Sequence, residues 1–208
     1  MRTFILGATL LCSMATASAL LGWTPLAQGK KTGEFSRLKS GVFCGETHCN
    51  AAPIDADPAS FEVLPGTKYA RDKGKVYYPK QLMCSDSADC GICYCTDYVV
   101  EHARPASFQY LGNEYAADGP VVYFRGRVLK DADGQSARVI IKGEYLYLLI
   151  DRAHVFVHDE ILAGADPQTF TVQMVSENKY IFQDRNKRWK YTPPDTIELL
   201  GSTQPAKR

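Results

Sequence analysis

Two stretches decide the fold: Tyr69-Ala70-Arg71-Asp72-Lys73-Gly74-Lys75-Val76-Tyr77-Tyr78 and Tyr115-Ala116-Ala117-Asp118-Gly119-Pro120-Val121-Val122-Tyr123-Phe124. In both, Tyr-Ala-x-Asp is followed, four residues after the Asp, by Val and two aromatics. The residues just after the Asp are turn formers, and an aspartate can accept hydrogen bonds from the backbone two residues on. The runs that follow are β-branched and aromatic, as strands require. The pattern is strand, turn, strand.

The same gap recurs along the chain. Leu148, Asp151 and Val155-Phe156 make one copy, and Ile181, Asp184 and Arg188-Trp189 another. Phe35, Leu38 and Val42-Phe43 make a degenerate first copy. The repeat anchors are thus Leu38, Asp72, Asp118, Asp151 and Asp184, and the last three are spaced 33 residues apart. A second motif, Ala56-Asp57-Pro58-Ala59-Ser60-Phe61, returns as Ala165-Asp166-Pro167-Gln168-Thr169-Phe170, with weaker copies at 103–108 and 132–137. Asp before Pro reads as a helix cap and first helical position, which predicts one helical turn pinning Phe61, Phe108 and Phe170 into a core.

The expected fold class is therefore mainly β: a tandem array of about five ~33-residue units, each of short strands plus a one-turn Asp-Pro-capped helix. An open stack is expected in preference to a closed propeller, because the unit is short for a four-stranded blade. One residue per unit, Phe43, Tyr77, Tyr123, Phe156 and Trp189, is expected to form an aromatic row in the core. The alternative is an exposed aromatic surface for sugar or protein, for which Trp189 and Tyr191, in the terminal unit, are the first candidates.

The 208 residues carry 24 basic and 23 acidic side chains and are 45% hydrophobic, too apolar for disorder and too balanced in charge for a phosphate-driven nucleic-acid binder. Arg2, the apolar run Phe4 to Leu11 and Ala17-Ser18-Ala19 read as a secretory signal over residues 1–19, cleaved near Ala19. Export to the periplasm or beyond is expected, and no membrane span follows. Residues 20–34 read as a lead-in, 35–191 as the repeat domain and 192–208 as a C-terminal segment and tail.

Beyond the signal stand Cys44, Cys49, Cys84, Cys90, Cys93 and Cys95, an even set suited to structural disulfides in an oxidising compartment. All lie where the period breaks: a short insertion around Cys44 and Cys49, and a long one over about 79–102. Cys44–Cys49 as a local bridge, with the other four paired among themselves, is the expected connectivity. A bridge between the two insertions is the rival. Bracing lowers the ordering cost of binding, so the long insertion is the candidate recognition loop, with Asp86, Asp89, Ile92, Tyr94, Asp97 and Tyr98 as its contact residues.

Enzymatic readings are weaker. Cys90-Gly91-Ile92-Cys93 has dithiol spacing but lacks a thioredoxin-like βαβ pattern. Zinc on Cys44, His48 and Cys49 competes with disulfide formation. Asp131-Ala132-Asp133-Gly134 opens like a calcium loop, but Lys142 stands where its twelfth residue requires Glu. His48, His102, His154 and His158 have no nucleophile motif around them. No catalytic residue, cofactor or metal is expected.

The run at 69–78, together with Gly164-Ala165-Asp166-Pro167-Gln168-Thr169-Phe170, resembles the DKNYY family of bacterial envelope and secreted proteins. The resemblance implies a repeat scaffold and brings no catalytic residues. The expected function is a non-enzymatic exported protein-binding module, most concretely a periplasmic immunity or inhibitor protein that blocks a secreted antibacterial toxin. The alternatives are an envelope structural or glycan-contacting module, and a thiol-disulfide oxidoreductase using Cys90 and Cys93.

Overall fold

Antiparallel strands make up all the regular structure in the residues that the computed structural model describes: 22–46, 52–87, 90–140 and 146–202. The first sheet holds β1 (Thr24–Pro25), β2 (Lys31–Thr32), β3 (Phe35–Leu38), β4 (Gly41–Glu46), β5 (Ala52–Pro53), β6 (Glu62–Val63), β7 (Ala70–Arg71), β8 (Val76–Ser87) and β9 (Cys90–Val99). Its order is β1-β6-β7-β8-β9-β4-β3-β2, with β5 paired to β4.

Three four-stranded meanders follow. The second sheet is β10 (Phe108–Gly112), β11 (Tyr115–Asp118), β12 (Val121–Phe124) and β13 (Arg127–Val128). The third is β14 (Arg138–Val139), β15 (Leu148–Ile150), β16 (Val155–Val157) and β17 (Glu160–Ile161). The fourth is β18 (Thr171–Ser176), β19 (Lys179–Gln183), β20 (Lys187–Thr192) and β21 (Thr196–Ser202). Tight turns join the strands. Asn113-Glu114 and Arg125-Gly126 both have two successive positive φ angles, 43° and 68°, then 50° and 72°, the twist that suits two-residue hairpins.

The core runs serially. One buried cluster joins Phe35, Val42 and Cys44 to Phe61, Ala70 and Tyr77. The next joins Tyr69, Val76 and Tyr78 to Phe108, Ala116 and Tyr123. A third links Tyr115, Val122 and Phe124 to Leu149 and Phe156. The last links Leu148, Ile150 and Val155 to Phe170, Phe182, Trp189 and Tyr191. Successive sheets thus bury one another's apolar faces, and burial of large aromatics supplies most of the driving force. Phe61, Phe108 and Phe170 are buried as expected, and so are four of the five aromatics of the row; Phe43 is half-buried.

Several expectations are corrected. No helix occurs among the described residues: each Asp-Pro-type segment makes a hydrogen-bonded turn. Ser60 N donates to Asp57 O at 3.3 Å and Thr169 N to Asp166 O at 3.3 Å, and the chain then commits to β6 and β18. The hydrogen bonding gives four sheets, not five equal units, because β9 pairs with β4 (Gly45 opposite Tyr94) and fuses the first two hairpin groups.

The segment read as a loop at 79–102 is largely an antiparallel ribbon of β8 and β9. Its disulfide is Cys44–Cys95, across 51 residues, with Cα atoms 5.5 Å apart. This replaces the Cys44–Cys49 expectation: β4 and β9 are neighbours, so their cysteines meet. Trp189 and Tyr191, the aromatics named for the alternative of an exposed surface, are 3% and 0% exposed, because the third sheet covers them. Both segments read as flanks join sheets, β1 and β2 to β6 and β3, β21 to β20. The signal, Cys49 and His48 lie outside the described residues.

Candidate functional site

The repeated aspartates are a structural device. Asp72 Oδ1 accepts from Gly74 N and Lys75 N at 2.7 Å each, while Oδ2 accepts from Asp57 N at 2.8 Å and the Tyr77 hydroxyl at 2.7 Å. Asp151 accepts from Ala153 N, His154 N and Asp133 N in the same way. Asp184 does so from Asn186 N, Lys187 N and Asp166 N. Each carboxylate closes its own hairpin turn and captures the turn before it. Burial alone would raise the Asp72 pKa, but the donors from Asp57, Tyr77, Gly74 and Lys75 hold it below the usual carboxylate value.

Asp118 departs from the pattern. Pro120 follows it, and Arg104 takes the place of an aspartate in the preceding turn. Arg104 donates through N, Nε and Nη2, at 2.9, 3.0 and 2.9 Å, and Ser107 Oγ adds a bond at 2.6 Å. The Arg104 hydrogen bond is the largest influence and brings the Asp118 pKa to about 2. These four carboxylates are occupied by turn donors and form no acid–base pair.

The residues proposed from sequence that are described lie along the β8–β9 ribbon. Asp86 lies on β8, Ile92 on β9, and Asp89 outside the described residues. Tyr94, half-buried, stands opposite Met83 and Gly45 in register. Asp97 accepts from Lys80 Nζ at 2.7 Å and stands 3.7 Å from Arg127. Tyr98 stacks on Tyr77 and accepts from Asp55 N at 3.4 Å. Asp97 and Tyr98 therefore bind the ribbon to its own scaffold. Cys90 and Cys93 both lie on β9.

At the base of the ribbon opens a groove of about 780 Å³ that sequence reasoning missed. One wall is Tyr78, Pro79 and Lys80 at the start of the ribbon; the other is the Arg125–Leu129 turn, with Tyr147, His158 and Asp159 of the third sheet's region beyond. The Arg125 turn is held firmly. Arg125 N donates to Glu114 O at 3.0 Å, Gly126 N donates to the Tyr69 hydroxyl at 3.2 Å, and that hydroxyl donates to Glu114 O at 3.1 Å. Gly126 is required there: besides φ of 72°, a Cβ would sit 2.6 Å from Tyr78 Cβ.

The Arg125 guanidinium lies 5.1 Å from the Phe124 ring centre and 4.8 Å from that of Tyr147. His158 stacks on Phe124 at 6.1 Å, and burial lowers its pKa. Three further cations border the groove: Lys80 is paired closely with Asp97 at 2.7 Å, while Lys68 stands 3.7 Å from Glu34 and Arg127 3.7 Å from Asp97. Glu114 accepts from the Tyr78 hydroxyl at 2.8 Å. Arg125 makes no ion pair with a carboxylate among the described residues. A sequence signal existed: Arg125 and His158 occupy the same place, one residue past the end of a Val-aromatic strand, where a two-residue turn projects a side chain outward.

The fold and groove define a class: a mainly β protein of serial antiparallel sheets with aspartate-centred turns and a polar, arginine-bearing cleft. Among the described residues, no serine, threonine or cysteine lines that cleft and no metal-ligating cluster is found. Residues 35–156 match the DKNYY family, and the chain belongs to it. No curated protein and no solved structure matches it. No helix among the described residues is long and apolar enough to cross a membrane.

Proposed function

We propose that the protein is a non-enzymatic exported module that binds another protein, most concretely an immunity or inhibitor protein that blocks a secreted antibacterial toxin. The observation that carries this reading is the β8–β9 ribbon. Its strands run 12 and 10 residues where β12 and β16 run 4 and 3, and it is tied down by the Cys44–Cys95 disulfide and by pairing to β4. A strand-paired ribbon anchored to its sheet presents its backbone at low entropic cost. The groove at its base adds a polar surface for recognition.

The test is a binding titration between the exported protein and the product of a toxin gene adjacent to its own. A stoichiometric complex that protects cells from the toxin is expected. Replacing the distal ribbon, residues 82–94, by a two-residue turn is expected to abolish it. Retained affinity in that variant would move the contact surface elsewhere. Absence of any complex would remove the toxin reading.

A further inference from the structure

The Arg125 groove has a chemistry of its own, and the inference drawn from it does not rest on the toxin reading. An exposed guanidinium is normally paired or solvated on all sides. Here it is carried by a turn with φ of 50° at Arg125 and 72° at Gly126, it lies against two aromatic rings, and its residue lines the cleft. Such bracing removes rotamer freedom before a ligand arrives, which suits a planar fork for bidentate capture of an oxyanion. Arg127, two residues on, is exposed and only loosely paired, at 3.7 Å from Asp97.

We infer that this groove is a binding site for an acidic polypeptide segment, a Glu- or Asp-bearing stretch whose carboxylate is gripped by Arg125 and Arg127. Three observations favour a peptide carboxylate over a polyphosphate or an anionic lipid surface. Glu114 and Asp159 also border the groove and repel dense negative charge while tolerating one carboxylate. The formal charge of the whole chain, +1, supplies no long-range field for a polyanion. β13, which carries Arg127 and Val128, closes the second sheet's order, so its outer edge is left for an extended chain among the described strands. Val128, 45% exposed, and the Tyr147 ring give such a chain an apolar footing.

The test is calorimetric titration of the full chain with a hexapeptide carrying one glutamate among neutral residues, beside the same peptide with lysine at that position, inorganic phosphate and vesicles of anionic lipid. The glutamate peptide is expected to bind and the other three not to. Arg125→Gln/Arg127→Gln is expected to weaken the glutamate peptide at least 10-fold, whereas Lys179→Ala/Arg188→Ala, which removes two charges outside the groove, leaves it unchanged. Arg125→Glu/Arg127→Glu is expected to exchange the preference to the lysine peptide, a gain that an unfolded variant does not show. No binding of the glutamate peptide, equal loss in both neutralised variants, or tighter binding of phosphate or vesicles would each overturn the inference.

Discussion

Tyr77 and Tyr123 occupy equivalent places, are both 0% exposed, and differ in one hydrogen bond. The Tyr77 hydroxyl donates to Asp72 and lies 3.1 Å from Asp55 O, while the Tyr123 hydroxyl has no partner among the described residues. Arg104 has filled the Asp118 carboxylate that would have served it. Removing a partnered buried hydroxyl costs about 1–2 kcal/mol, whereas removing an orphan is neutral or favourable. Tyr77→Phe is therefore expected to lower the urea midpoint and Tyr123→Phe to leave or raise it. Acid should act through the same carboxylates. Asp118 is lowered from 3.8 to about 2 and Asp72 is also lowered, so both contribute stability that is fully present above the ordinary carboxylate pKa. That stability is lost as pH falls from about 4 toward 2. Thermal melts across this window should show a shallower acid limb in Asp118→Asn than in the native chain. The aspartates themselves were legible from their spacing. Which of them is fed by a tyrosine and which by an arginine was not, because that depends on which turn the fold lays beside each carboxylate.

The hairpins that sequence resolves best are those with a short turn between Val-aromatic runs, such as β11–β12, where alternation and turn chemistry agree. The Asp-Pro turns were misread because capping chemistry is shared. Asp57 Oδ1 accepts from Ala59 N at 3.2 Å and Oδ2 from Ser60 Oγ at 2.7 Å, as a helix cap would, but one turn later the chain enters a strand. The β8–β9 ribbon was hidden by Ser, Asp, Gly and Cys, residues that read as loop. Its strand character comes from cross-strand pairing, with β4 supplying part of the third side. Because the disulfide closes 51 residues, its loss should cost roughly 2–4 kcal/mol. Paired Cys44→Ala/Cys95→Ala is expected to lower the melting temperature in oxidising buffer and to make the protein's stability indifferent to a reductant at this bridge. Differential scanning calorimetry with and without dithiothreitol measures both.

Across the whole molecule, each sheet leans on its neighbours in the chain, so stability is expected to be graded along it. β11, β12, β15 and β16 are buried almost throughout, whereas every residue of β21 is exposed. Native-state hydrogen exchange should find β21 amides exchanging through local opening, and those of β15 and β16 only near global unfolding. The serial plan was legible in the recurring anchors. The groove was not, since Tyr78, Arg125 and Tyr147 come from three different parts of the chain and no local pattern announces their meeting.

The tyrosine pegs between sheets carry one more implication. Tyr69, in the first sheet's chain segment, grips the turns around Glu114 and Gly126, and the Tyr115 hydroxyl of the second sheet donates to His158 O at 2.7 Å. At the corresponding places further on stand Leu148 and Ile181, which have no hydroxyl. Apolar faces can slide past one another with little penalty; a directional bond tolerates only a few tenths of an ångström. The width of the cleft is thus gauged by two phenols, and the proposed peptide site lies on the stretch of chain that they hold in register.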